Sequence, residues 1–239
     1  MKTILLKFAG PLQSWGSSSH FENRHTDFYP TKSAIIGIIS ASFGYRRDND
    51  EEIKKLNKIK FAVRIDQRGN LLRDYHIARK FKNGIFERTY VTNRYYLEDA
   101  VFVVAISHED DDFVDLIEEK LKNPFFQCYM GRRSLPLSAD FIISKTENSV
   151  IESLKKCDWQ AAKWYKKKNN RELIELEIHA DSNLLDNSIY SLKKDKVISF
   201  SQKERKFAFR YESESIIKIT NKMYKDIETS HDVFGSIGD

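Results

Sequence analysis

The densest set of phosphate-binding groups lies between Tyr129 and Ser138, in the run Gly131-Arg132-Arg133-Ser134. The glycine lets the backbone turn sharply and approach another molecule closely. Each arginine carries a permanent charge on a planar fork of donors that matches phosphate oxygens. The run therefore predicts a phosphate-binding loop. The alternative is a surface turn whose arginines lie in water or pair with carboxylates.

A second candidate site follows the first predicted strand. Thr3 to Phe8 is compact, apolar and β-branched at its start, which is typical of a buried strand. Gln13 and Trp15 come just after it and offer an amide and a flat ring to a ligand. The alternative, that Trp15 belongs to the core, is equally compatible with the sequence.

A third candidate is the start of a predicted helix. Pro30 is placed in its first turn, where a missing N–H is harmless, and Gly44 is expected to end it. Thr31, Lys32 and Ser33 occupy the same turn. Free backbone N–H groups together with the lysine predict a further phosphate site.

Positive charge is concentrated in one region of the chain. The net charge is +5, but Lys60 to Arg94 alone carries nine lysines and arginines against three acids. Leu71 to Ala78 is expected to return from a turn as a strand, and it contains Arg73-Asp74-Tyr75-His76. We do not expect Asp74 to orient His76 as a general base, so we interpret this segment as a binding or structural element.

Lys82-Asn83-Gly84 predicts a hairpin, because Asn-Gly accepts the positive φ angles of a type I′ turn. Its arms are basic and have no continuous apolar face, which favours a protruding ribbon over a core strand. The ribbon is expected at about residues 77–96.

Several classes of function are disfavoured. Cys128 and Cys157 are too few for a disulfide scaffold and have no metal-ligand spacing, and the six histidines include no pair at helical ligand spacing. We expect no metal, no cofactor and no catalytic residue. The N-terminus has no signal-peptide pattern and no apolar stretch is long enough for a bilayer, so a cytoplasmic protein without membrane contact is predicted.

The order of predicted elements favours an α+β protein. Residues 1–145 approximate a βαββαβ ferredoxin-like, RRM-like domain with the ribbon as an excursion, and residues 146–239 form a smaller, β-rich C-terminal α+β domain. The stacking signature of a standard RRM is absent. Phe207, Phe209 and Tyr211 are expected on one face of a late strand, packed in the core.

These stretches resemble the family of CasD subunits of type I-E CRISPR Cascade, within the fifth CRISPR-associated protein family and the wider repeat-associated RNA-binding superfamily. The resemblance covers about the first 145 residues and continues weakly through Asp195 and Arg210. It rests on residues 8–16, on 30–33 with the Gly37 helix, on 73–76, on the set Thr92, Arg94, Tyr96 and Asp99, and on 129–137.

The resemblance implies a non-catalytic subunit that holds the 5′ handle of the CRISPR RNA and caps the Cascade backbone in antiviral defence. It implies the backbone and large subunits as neighbours, and target DNA only through the complex. The ribbon would be a thumb. Lys32 stands where many relatives have arginine, so a bidentate phosphate contact would become monodentate. The residues expected to bind RNA are Gln13, Trp15, Arg24, Thr31, Lys32, Ser33, Arg73, His76, Thr92, Arg94, Gly131, Arg132, Arg133 and Ser134.

Two other functions remain open. The resemblance extends to type I-C relatives in the same family, which cut the repeat RNA without metal; it implies that they use a tyrosine, a lysine and a histidine, of which the lysine and histidine are adjacent. No Lys-His pair occurs here, and only Tyr45 and His76 are conceivable substitutes. The third hypothesis is a general basic RNA-binding protein outside CRISPR defence.

Overall fold

The computed structural model describes residues 1–16, 22–186 and 189–225, which form an α+β protein with mostly antiparallel strands. The strands are β1 (Thr3–Ala9), β2 (Leu12–Gln13), β3 (Asn23–Arg24), β4 (Lys60–Gln67), β5 (Asn70–Lys82), β6 (Ile85–Glu98), β7 (Val101–Ser107), β8 (Ile142–Thr146), β9 (Leu173–Asp181), β10 (Ser191–Ser199) and β11 (Lys206–Thr220). The helices are α1 (Lys32–Phe43), α2 (Asp50–Lys55), α3 (Asp111–Lys122), α4 (Val150–Lys156) and α5 (Lys163–Lys168).

Seven strands form one sheet in the order β10-β11-β9-β4-β7-β1-β8, and each neighbouring pair is antiparallel. β9 joins the later strands to β4, where Ala62 pairs with Ala180. Strands on both sides of residue 145 therefore share one sheet. The division into domains 1–145 and 146–239 stays a prediction.

The central strand β7 is buried on both faces of this sheet. Phe102 and Val104 pack with α1 and α3, whereas Val103 and Ala105 pack with α4 on the opposite side. This alternation follows from the period of two in a strand. The apolar run of β7 therefore serves two cores, as a central strand between helical layers requires.

A second sheet contains the long β5–β6 hairpin, with β2 and β3 beside β6. Asn83 and Gly84 have φ angles of 52° and 80°, as the Asn-Gly turn predicts. The hairpin is longer than expected, because the strand predicted at Leu71 to Ala78 continues into the ribbon instead of joining the core sheet.

The bounds of α1 differ by two residues from the prediction. Pro30 precedes the helix, and Thr31 is its N-cap, with extended backbone and a hydroxyl that accepts a hydrogen bond from the Ala34 N–H at 3.3 Å. Gly44 ends the helix in the left-handed conformation, as predicted.

A fully buried ion pair ties β4 to the segment after α4. Arg64 donates to both carboxylate oxygens of Asp66, at 2.6 and 2.8 Å, and to the carbonyl oxygens of Leu154, Cys157 and Asp158. One of the nine lysines and arginines in the basic region is therefore not surface charge, because Arg64 is neutralised inside the protein.

No helix within residues 1–16, 22–186 and 189–225 is long and apolar enough to cross a membrane. The same residues contain no group of three or more His, Cys, Asp or Glu side chains able to hold a metal ion.

Candidate nucleic-acid interface

The base of the hairpin places arginines on neighbouring strands. β3 pairs with β6 in parallel, so that Arg24 lies beside Arg94. Thr92 and Tyr96 are two residues either side of Arg94 on β6, and residues two apart in a strand share a face. Thr92 and Tyr96 are buried, and the arginine lies between them.

The loop between α3 and β8 brings Arg132 to the same place. Its guanidinium carbon lies 4.1 Å from the centroid of the Tyr96 ring, a cation–π distance. Nη2 of Arg132 donates to the carbonyl oxygens of Arg24 and Tyr95, each at 3.1 Å. We call Arg24, Arg94 and Arg132 the arginine cluster.

Gly131 holds this loop against the preceding segment of the chain. Its φ angle is +84°, and a Cβ built on it would lie 1.6 Å from the carbonyl oxygen of Ser14. The close approach predicted for this glycine is therefore made to the protein's own backbone. Met130 N–H donates to the Leu135 carbonyl at 2.7 Å and Leu135 N–H to the Arg132 carbonyl at 2.9 Å, so the loop is a tight, internally bonded turn.

The arginine cluster has unmet donors. Nε of Arg94 and Nη1 of Arg132 are buried and have no hydrogen-bond partner in the described part of the chain. Burial lowers the pKa of Arg132, and the positive charges of Arg94 and Arg24 act in the same direction, while Tyr96 opposes them. A bound anion would accept from the orphaned donors and relieve the repulsion.

Arg133 and Ser134, the next residues of the loop, are exposed. Among the described residues neither side chain makes a hydrogen bond or an ion pair, so both remain available to a ligand at the edge of the arginine cluster.

The two predicted hairpin residues lie on β5, across from β6. Arg73 donates from Nε to the Asn93 side-chain oxygen at 3.0 Å. Nε2 of His76 lies 3.5 Å from the Asp74 carboxylate. The two side chains come within ion-pair distance because residues two apart in a strand point to the same face. The pair is exposed.

The phosphate site predicted at the start of α1 is occupied by protein carboxylates. The Lys32 N–H donates to Asp195 at 2.9 Å, and its ammonium pairs with Asp181 at 2.8 Å. Thr31 and Ser33 are buried and bond to each other at 3.2 Å. Arg210 completes the network by binding Asp195 at 2.7 Å. The helix N-terminus is thus satisfied within the protein, and this corrects the prediction of a phosphate site at Thr31, Lys32 and Ser33.

Gln13 and Trp15 are also buried. The Gln13 amide donates to the Ala100 carbonyl at 2.7 Å and accepts from the Trp15 ring nitrogen at 3.0 Å, and the Trp15 ring packs edge-on against Phe8. The sequence was compatible with a ligand-binding role or a core position for Trp15, and the structure shows the core position. Neither side chain is presented to a ligand.

The residues considered for RNA cleavage do not form a site. Tyr45 follows α1 and packs against Phe43, with ring centroids 5.3 Å apart. His76 lies in the middle of β5, and no contact joins it to Tyr45 among the described residues.

Tyr95 and Tyr96 anchor the Arg132 guanidinium, Tyr95 by its carbonyl oxygen and Tyr96 by its ring, and neither role was predicted from the sequence. Tyr96 was part of the family resemblance only. The available signal was the spacing of Thr92, Arg94 and Tyr96, which places one arginine between two side chains on the same strand face.

Comparisons with known proteins agree with one another. A family model described as CRISPR-associated protein (Cas_Cas5) matches residues 3–211. The CRISPR system Cascade subunit CasD of Escherichia coli (strain K12) is 32% identical over 161 residues, which cover 61% of this chain and 72% of that protein. A chain of a CRISPR RNA-guided surveillance complex superposes with a TM-score of 0.76 at 25% identity, with 95% of each chain covered.

A second structure, described as a Cas protein, superposes with a TM-score of 0.63 at 27% identity, over 90% of this chain and 94% of that one. The family model spans most of the chain, including strands on both sides of residue 145. The resemblance seen in the sequence is confirmed: the chain belongs to the Cas5 family of CRISPR-associated proteins.

Proposed function

We propose that this protein is a non-catalytic CRISPR RNA-binding subunit of type I-E Cascade that holds the 5′ handle of the guide RNA and caps the backbone. The observation that carries the proposal is the arginine cluster, in which Nε of Arg94 and Nη1 of Arg132 are buried donors without partners. RNA phosphates supply acceptors and negative charge together.

The geometry favours a fixed phosphate site over a loose basic surface. Arg132 is held by the Tyr96 ring and two carbonyl oxygens, so its guanidinium is oriented before any ligand arrives. Preorganised donors lose less conformational entropy on binding. Arg133 and Ser134, exposed beside this site, extend it along a strand of RNA.

The fold supports the same assignment. The elements β1, α1, β4, β7, α3 and β8 follow each other in the βαββαβ order, with the four strands adjacent in the order β4-β7-β1-β8. We assign them to an RRM-like, ferredoxin-like unit. The β5–β6 hairpin is an insertion between two of its strands, and we assign it to the thumb.

The relatives supply the context. One is a Cascade subunit, and a structural match belongs to an RNA-guided surveillance complex. The proposed partners are therefore the CRISPR RNA, the backbone subunit and the large subunit, with target DNA reached only through the complex. The arginine cluster and loop contribute the RNA contacts, without the α1 residues and without Gln13 and Trp15.

The decisive experiment measures RNA binding as a function of salt. The double variant Arg132→Ala with Arg133→Ala is expected to bind handle RNA more weakly and to reduce the log–log salt slope by roughly 1.5, because two phosphate contacts are lost. Arg68→Ala is the matched control, since Arg68 is exposed and already paired with Glu177. The control should change neither quantity.

Unchanged affinity and slope in the folded double variant would refute the arginine site.

Incubating the wild-type chain with repeat RNA in a chelator tests the non-catalytic assignment. Specific cleavage that is lost in His76→Ala would contradict it and favour the metal-independent nuclease. Stable RNA binding without preference for the handle, in the absence of the other Cascade subunits, would favour a general RNA-binding protein.

A further inference from the structure

The outer face of the β10–β11 pair exposes aromatic rings. The side chains of Tyr190, Phe209 and Tyr211 are 59%, 56% and 54% exposed, and Leu192 is exposed beside them. The sequence predicted core positions for Phe209 and Tyr211, and for these two the prediction is wrong. Only Phe207 packs partly against the core.

These side chains share one surface. The rings of Tyr190 and Tyr211 are 4.8 Å apart between centroids, and Leu192 is paired directly across from Tyr211. The Lys194 ammonium lies 5.9 Å from the centroid of the Phe209 ring. We call these five residues the β10–β11 platform.

On this strand pair the charged side chain is buried and the aromatic rings are exposed, the reverse of the usual arrangement at a sheet edge. Between the exposed rings of Phe209 and Tyr211 lies Arg210, which is buried and bonded to Asp195 and Glu212 on the other face. Charged groups normally face solvent and rings face the interior. Arg210 and its carboxylate partners form the network at the start of α1, so the pleat directs the neighbouring rings outward.

The chain around the platform is strongly basic. Residues 191–210 contain seven lysines and arginines against two acids. One acid, Asp195, is buried against Arg210, and the other, Glu204, is paired with Lys206. Lys194 and Lys196 alternate with buried residues and are exposed. The platform therefore combines exposed aromatic rings with neighbouring lysines. This combination complements a nucleic acid, whose bases are aromatic and whose phosphates are negatively charged.

We propose that the β10–β11 platform binds a single-stranded segment of nucleic acid, with bases stacked on Phe209 and Tyr211 and phosphates near Lys194 and Lys196. Stacking on exposed rings beside lysines is a sequence-tolerant mode of binding single strands. The platform lies on strands other than those of the arginine cluster, so this second contact does not depend on the handle site.

The test uses the 239-residue chain carrying Arg132→Ala and Arg133→Ala, so that the handle site does not contribute. Binding of fluorescein-labelled oligo(dT) and oligo(U), each about 15 nucleotides long, is followed by fluorescence anisotropy. Adding Phe209→Ala and Tyr211→Ala should weaken binding by roughly 25-fold, about fivefold for each lost ring. Lys194→Ala with Lys196→Ala should lower the salt slope by about 1.4.

Two further variants control the interpretation. Phe209→Tyr with Tyr211→Phe keeps both rings and should retain the affinity. Ile216→Ala with Lys218→Ala removes an exposed apolar residue and an exposed cation from the opposite face of β11, and it should also leave the affinity unchanged. A loss confined to the platform variants supports the proposal, and the oligo(dT) and oligo(U) arms show whether DNA, RNA or both are bound.

Three results would overturn it: platform variants that bind within about twofold of their parent, an equal loss in the Ile216 and Lys218 control, or an affinity that is lost with the ring-retaining pair. Normal oligonucleotide binding combined with failure to assemble with the other Cascade subunits would show instead that the platform is a protein interface.

Discussion

Replacing Gly131 with alanine should displace the loop that carries Arg132. The new Cβ would lie 1.6 Å from the Ser14 carbonyl oxygen, whereas such atoms are essentially never closer than 3.0 Å, so the two segments must separate by about 1.4 Å. That shift exceeds the tolerance of the 3.3 Å hydrogen bond from the Ser14 N–H to the Met130 carbonyl. It also moves the guanidinium away from the Tyr96 ring and its two carbonyl acceptors.

The expected loss of stability follows from these contacts. A left-handed alanine costs about 1–2 kcal/mol, the backbone hydrogen bond contributes about 0.5–1.5 kcal/mol, and the cation–π contact about 0.5–1 kcal/mol. Gly131→Ala should therefore lower the free energy of unfolding by about 2–4.5 kcal/mol. Affinity for handle RNA should fall by about tenfold or more, because one charged contact is misplaced.

Gly84 is a matched control at the tip of the hairpin. Its φ angle is +80°, close to that of Gly131, but no atom lies within 4 Å of an added Cβ. Gly84→Ala should therefore lower the free energy of unfolding only by the cost of a left-handed alanine, about 1–2 kcal/mol. It should leave the RNA affinity unchanged. Urea unfolding with an unchanged m value, together with RNA titration, measures both effects. If Gly131→Ala were no more destabilising than Gly84→Ala, the tight packing of the loop against Ser14 would be refuted.

Two further predictions concern buried charge and pH. Arg64→Met should lower the free energy of unfolding by about 3–5 kcal/mol, because it leaves Asp66 buried without its partner. Arg68→Met, in an exposed pair, should cost less than about 1 kcal/mol in the same urea titration; equal effects would contradict the buried-pair account. His179 stacks on Tyr29, and burial lowers the pKa of its imidazole from the ordinary value of 6.5. At pH values below 6.5 the unfolded chain therefore binds this proton more readily than the folded chain does. Stability should fall as the pH is lowered from about 7.5 to about 5.5, and His179→Phe should reduce that fall; an unchanged pH profile in the variant would argue against it.

The buried side chains show where sequence reasoning was too local. Lys32, Thr31 and Ser33 have the types that bind phosphate, and the start of a helix attracts anions in general. The anion found there is Asp195, which lies 163 residues away in the chain. Nothing in the local pattern distinguishes a phosphate from a distant carboxylate.

For two aromatic residues of β11 the error is the opposite one, because they were predicted to be buried and are exposed. Phe207, Phe209 and Tyr211 have the spacing of a buried strand face, and their apolar character predicts a core. Arg210 reverses the expectation, because its partners Asp195 and Glu212 lie within the protein and the pleat then turns the rings outward. The orientation of β11 is decided by a charge network that joins three strands and α1.

The sequence by itself determined the α+β class, the Asn-Gly hairpin and the turn at Gly131 with its two arginines, since each follows from the order and period of the elements, the turn chemistry of two residues or the conformational freedom of a glycine. Only the tertiary structure decided which cations converge. Arg24, Arg94 and Arg132 meet because a parallel strand pair and a glycine that tolerates contact with Ser14 bring three distant segments together. Contacts between distant segments depend on the packing of the whole chain, and no local pattern contains them.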